Sequence, residues 1–346
     1  MAARRRDRFR LIATSVLTTL ALTVTAATPA SATPPQTHNR TDAAAGWLAR
    51  QLVDGERLEV VFDGVAYPDQ GLTIDAIFTF AAAKQADTYA TNAITWLAEP
   101  SVITGYIGDG IEAYAGATAK LALAAQVRGL DPASFGGVDL ITRLTGLMAP
   151  SGRFSDQSAF GDYSNMFSQS FAVIALDRAA GAPPQAVSYL SSSQCPDGGF
   201  PVQFALATCT SDVDATAMAI QALVAAGEWH EAHAASQWLV AVQAADGSFA
   251  AGGVANANST GLAAQALVTT GRLLTWWRAR QFLLSLRVDC QGDPGDRGAI
   301  AYAASGFDPS TAPRATAQAV PGLAGASLVN LSATGSRPDA PTLACT

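Results

Sequence analysis

Charged side chains are scarce in this sequence. Only 14% of its 346 residues are Asp, Glu, Lys or Arg, and only three are His. His38 lies in the N-terminal segment, so two histidines are left for the rest of the chain, too few to support a Ser/His/Asp set. No Asp-Asp pair occurs, which excludes the Asp-rich magnesium motif of diphosphate ionisation. Cys-x-x-Cys is also missing, and "HEAH" at 230–233 lacks the two-residue gap between Glu and the second His that a zinc-binding helix needs. Neither a metal nor a cofactor is therefore expected. Beyond the first thirty residues no run approaches the roughly 18 uncharged apolar residues of a membrane helix, so no stable membrane anchor is expected.

What is present begins with an export signal. Arg4, Arg5, Arg6, Arg8 and Arg10 precede an apolar run from Leu11 to about Ala27, and Ala30-Ser31-Ala32 offers a cleavage site near Ala32. "RRRDRF" leaves the Sec and twin-arginine routes both open. Residues 1–32 are read as a signal peptide and 33–41 as a short flexible segment. Without residues 1–32, 16 basic and 27 acidic side chains remain, a formal balance of -11. That balance disfavours nucleic acid as a partner. Export makes disulfides the default for the four cysteines, which allow three connectivities. Local pairing, Cys195 with Cys209 and Cys290 with Cys345, is the expectation, with the tail 331–346 tied down through Cys345.

A repeat runs through the remainder. Paired residues recur at Trp47-Leu48, Trp96-Leu97, Arg143-Leu144, Tyr189-Leu190, Trp238-Leu239 and Phe282-Leu283, with the leucines 49, 47, 46, 49 and 44 residues apart. Each unit reads as two helices. The first ends at an Asp-Gly in its best copies, "SYLSSSQCPDGGF" and "QWLVAVQAADGSF". The second, as in "DVDATAMAIQALVAAG", is Ala-rich and apolar on nearly every side, as a helix buried among helices should be. No window of comparable strength alternates with period two. The prediction is all-α, with six helical hairpins of about 47 residues over 42–330, able to close into a ring with the Ala-rich helices inside.

The segment holding Trp238, Leu239, Gln243, Gly247 and Phe249 resembles the QW motif of the squalene-hopene cyclase and prenyltransferase superfamily, as do Tyr189, Leu190, Gln194, Gly198 and Phe200. The resemblance implies the α/α toroid of that superfamily. It also directs attention to "SDVDATAMA" at 211–219, which is similar to the DxDD signature of class II terpene cyclases. Asp212 and Asp214 match its first two acids, and Ala215 stands in place of the last. On that resemblance Asp214 would be the general acid of a protonation-initiated cyclisation, with Asp212 beside it. The competing reading makes Ser211 or Asp212 an N-cap and Asp214 a first-turn carboxylate complementing the helix dipole. Cap-type residues at Asn258, Ser259, Ser310 and Thr311 in the next two repeats favour it. The zinc ligands of protein prenyltransferases and the thioester of complement-like toroids have no counterpart. Aromatic lining for a cation could come from Phe78, Phe80, Phe167 and Phe171.

Similar toroids serve as secreted cobalamin carriers that hold a ligand on one rim. In this chain the loops 152–164, 198–212 and 247–259 would gather on one rim and present Arg153, Phe154, Asp156, Tyr163, Phe204, Phe249 and Asn256. The main expectation is thus a secreted, non-catalytic module binding a small molecule, peptide or cell-surface ligand, with the Asp214 cyclase as the alternative.

Overall fold

The computed structural model describes residues 34–345, so the expected signal peptide and its cleavage site lie outside the described residues. Helices dominate, arranged as six hairpins with one outer and one inner arm. In chain order they are α1 (Arg40–Ala49) with inner α2 (Gln70–Ala83), then α3 (Asp87–Leu97) and its continuation α4 (Pro100–Ile107) with inner α5 (Ala115–Val127). There follow α6 (Leu140–Gly146) with inner α7 (Met166–Ala180), and α8 (Pro184–Ser192) with inner α9 (Val213–Ala225). The last two are α10 (Trp229–Val242) with inner α11 (Ala257–Thr269), and α12 (Leu273–Ser285) with inner α13 (Ala312–Ala324). Each inner helix packs on the next, and α13 packs back on α2, so the ring closes as an α/α toroid. The six recurring leucines all sit in the outer arms, as predicted.

Small side chains let the inner helices approach closely. A Cβ on Gly322 of α13 would stand 2.6 Å from the Gly261 carbonyl of α11, a separation no side chain tolerates. Trp47, Phe80, Phe154, Phe200 and Phe249 fill the spaces between helices and are fully buried. The Gln of the QW-like segment ties outer helices together. Gln194 Nε2 donates to the carbonyls of Gly198 and Glu231, and Gln243 Nε2 to those of Gly247 and Thr275.

A second device repeats at the entry to the inner helices. The backbone N–H groups of Leu58, Phe200, Phe249 and Ile300 donate to the hydroxyls of Thr73, Thr216, Thr260 and Thr316, and that of Phe154 to Gln169 Oε1. Each bond pins the incoming loop to the first turns of a buried helix, where an unpaired N–H would be costly. Three two-stranded ladders complete the fold: β1 (Gln36–Thr37) with β6 (Thr342–Leu343), β2 (Glu59–Phe62) with β3 (Val65–Pro68), and β4 (Ala250–Ala251) with β5 (Val254–Ala255).

Both disulfides form locally, Cys195–Cys209 and Cys290–Cys345. The second anchors a strap, residues 326–345, that crosses the C-terminal ends of the inner helices. Gln221 Oε1 accepts from the Leu328 N–H at 2.9 Å, and Arg178 donates to the carbonyls of Leu328 and Leu331. Farther along, the Ala333 N–H donates to Val127 O, that of Arg337 to Lys84 O, and that of Ala86 to Asp339 O. The strap therefore floors the ring at one end, while the loops surround the other.

Candidate functional site

At 100° per residue, the stripe of each inner helix that faces the ring axis follows from the residues fixed to the strap. On α9, Gln221 bonds the strap and Met218 walls the central cavity, so Asp214, one turn before Met218, lies on the same stripe nearer the mouth. The same spacing gives Asn258, Leu262 and Gln265 on α11, Phe167, Phe171 and Arg178 on α7, and Asp75 and Phe78 on α2. Lys120 comes from α5, and Ala317, Gln318 and Pro321 from α13. The cavity they enclose, with Leu328 of the strap beneath, admits the centre of a water molecule over about 100 Å³. Asp214 stands above this cavity rather than in its wall. Phe78, Phe167 and Phe171 supply the aromatic lining expected of them, but Phe80 is 1% exposed and belongs to the core.

The two acids of the opening turn of α9 have different surroundings. Asp212 is the N-cap, its Oδ1 accepting the Ala215 N–H at 2.9 Å. Ser211 is not a cap, because its hydroxyl donates to Asp197 Oδ1 at 2.6 Å. Asp214 is not a solvent-washed first-turn carboxylate. Burial pushes its pKa up to about 6, partly offset by the Ser259 hydroxyl, with the nearby Asp212 adding to the rise. Its Oδ1 is buried without a hydrogen-bond partner, and so is Oδ1 of Asn258 at the matching place on α11. In the fifth repeat the cap is Asn256 rather than Asn258 or Ser259, and in the sixth Thr311 makes no side-chain cap bond.

One full charge pair enters the cavity wall. Lys120 Nζ lies 2.6 Å from Asp75 Oδ1, with both side chains less than 15% exposed, and it also donates to Gly71 O at 2.9 Å. The same ammonium lies 5.7 Å from the centroid of the Phe171 ring. Behind Asp75, burial and then the charges of Asp75 and Asp69 push the Tyr106 hydroxyl well above its ordinary pKa.

The rim residues fare differently from their expectation. Phe154 and Phe249 are buried in the core, and Asn256, 1% exposed, is spent capping α11, so none of the three is rim surface. Asp156 caps α5 from a neighbouring loop, its Oδ1 accepting the Ala115 N–H at 2.8 Å. Arg153 pairs with Asp162 at 2.9 Å and covers the Phe204 ring, which in turn meets Tyr189 edge-on. Only Tyr163 projects freely, at 73% exposure. These groups build the loops. The aromatic and aliphatic residues that do face solvent there, such as Phe160 and Ile111, carried no sequence signal of their own. His230 is exposed and His233 sits beside Arg272, and among the described residues no group of three or more metal-ligating side chains occurs.

Solved structures share this architecture. The apo type II terpene cyclase MstE from Scytonema superposes with a TM-score of 0.64, covering 83% of this chain and 97% of that one, at 15% identity. The fold is that of the type II terpene cyclases. A variant of the same cyclase holding its substrate, geranylgeranyl dihydroxybenzoate, gives 0.60 over 83% and 96% of the two chains at 15% identity. An unsaturated glucuronyl hydrolase specific for heparin gives 0.57 over 82% and 95% at 11% identity. No protein-family model matches the sequence, and no curated relative does. The same toroid thus occurs in proteins of different chemistry, and the fold by itself assigns none to this chain.

Sequence reasoning missed Asp75 and Lys120. The available signal was a single charge inside each of two otherwise apolar helical runs, "GLTIDAIFTF" and "GATAKLALAA". A charge in such a run is expensive unless paired.

Proposed function

We propose that this protein is a proton-donating enzyme of the terpene-cyclase type, with Asp214 as the general acid and a compact isoprenoid alkene as substrate. One observation carries the reading: Asp214 lies on the axis-facing stripe with a buried, unpartnered oxygen and a pKa raised to about 6. A carboxyl that keeps its proton near neutrality can deliver it to a weakly basic carbon. Below it, Phe167, Phe171, Phe78, Met218 and Leu262 offer faces that shield a carbocation, with Asp75, Lys120, Gln265 and Gln318 as the polar groups among them. The small cavity argues for a short isoprenoid rather than a twenty-carbon chain. This reading displaces the non-catalytic rim binder, whose proposed contacts are largely buried or engaged in holding the loops. Two disulfides and the Arg-rich leader support a site of action outside the cytoplasm.

The test is chromatographic product analysis after incubation with geraniol, since cyclisation conserves mass. The native chain should yield cyclic products, at a rate that falls as pH rises above about 6 because the acid loses its proton. The Asp214→Asn variant should lower the yield by roughly 10²-fold or more. Equal yield from the variant would remove Asp214 from the chemistry, and unchanged geraniol with the native chain would return the molecule to the binding reading.

A further inference from the structure

The six-membered ring puts α2 opposite α9, three helices away in either direction. Asp75 on α2 therefore faces the stripe of Asp214 from across the axis, one layer deeper, and it walls the cavity where Asp214 does not. We infer that Asp75 is the base that ends the reaction, receiving the proton that the cationic intermediate gives up. This rests on the proposed cyclase reading and adds the exit of the proton to its entry.

The two carboxyls have opposite surroundings. The Asp214 oxygen has no hydrogen-bond partner, whereas Asp75 lies 2.6 Å from the Lys120 ammonium. A carboxylate is a weak base, yet a weak base suffices, because a C–H bond next to a carbocation is strongly acidic. The balance is closed and needs no oxidant. Asp214 gives its proton to one alkene carbon, the π electrons form the new C–H bond, and the partner carbon becomes cationic. A second alkene attacks that carbon, forming the ring bond and moving the charge. A neighbouring C–H bond then breaks, its electrons form the final C=C, and its proton goes to Asp75. Exchange with water through the mouth returns Asp214 to the acid and Asp75 to the carboxylate.

The experiment follows the proton in D2O with geraniol and the oxidised full chain. The native protein should give cyclic alkenes carrying one deuterium from the first step. Asp75→Asn should keep deuterium incorporation within about threefold but lower the alkene yield by roughly 10²-fold, diverting product to the water-captured alcohol. Asp75→Glu should retain the alkene. Because removing one partner of a buried pair can unfold a protein while removing both is often tolerated, the Asp75→Asn/Lys120→Met double variant is made in parallel, with the same product switch expected. An unchanged alkene-to-alcohol ratio in both Asp75→Asn variants would overturn the base while leaving Asp214 in place. No deuterium in any product of the native chain would overturn both assignments together.

Discussion

Asp214 is kept where an ionised carboxyl is unwelcome, and stability should record it. Its folded pKa, about 6, exceeds the ordinary 3.8, so the folded state binds the proton more tightly than the unfolded chain does. The protein should then bear no penalty below about pH 4, lose stability as pH rises toward 6, and stay at the reduced level above that. The shift sets an upper bound of about 3 kcal/mol on the loss. Asp214→Asn, which cannot ionise, should be more stable than the native chain at pH 7.5 and indistinguishable from it at pH 4, by urea midpoints at the two values. A difference independent of pH would mean that the carboxyl is solvated.

At the scale of the helix, α13 shows how a neighbour repairs a local defect. Pro321 has no N–H and leaves the Ala317 carbonyl without its helical donor, and Thr79 Oγ1 of α2 donates to that carbonyl at 2.7 Å. Both groups are buried, so the bond closes the seam between the last and the first inner helix. Thr79→Val should cost about 1–3 kcal/mol in the native background. With Pro321→Ala already in place the same change should cost less, since a backbone N–H then reaches Ala317. A double-mutant cycle by chemical denaturation measures the coupling, and additive effects would show that the hydroxyl and the proline are unrelated.

For the molecule as a whole, the strap decides whether the ring has a floor. Its hydrogen bonds reach α9, α7, α5 and α2 in turn, and Cys290–Cys345 holds its end. The two cysteines are 55 residues apart, a separation for which the chain-entropy relation gives about 4 kcal/mol. Cys290→Ser/Cys345→Ser should lose stability of that order and gain protease cleavage within 326–345 while the helices keep their circular dichroism. Removing Cys195–Cys209, whose loop is 14 residues, should cost about 3 kcal/mol and leave the strap protected. Equal protease resistance of the strap with and without its disulfide would show that the hydrogen bonds alone secure the floor.

The sequence alone determined the local and repetitive features. Ala-rich apolar runs with Gly stops specify helices and a leucine every 44–49 residues specifies six similar hairpins, because each depends on residues near one another in the chain, and the separation of 14 favours Cys195–Cys209 for the same reason. Asp212 as an N-cap was legible for the same reason. Only the tertiary structure decided what lies at the axis. Whether Phe154 faces solvent or core, whether the Asp214 carboxyl is washed or partly shielded, and that Asp75 meets Lys120 all depend on which stripe of each helix the closed ring turns inward. That angle is set by packing between units rather than within them. The strap is the extreme case: an irregular segment without periodicity acquires its position from the carbonyls and side chains at the ends of four helices that only ring closure brings together.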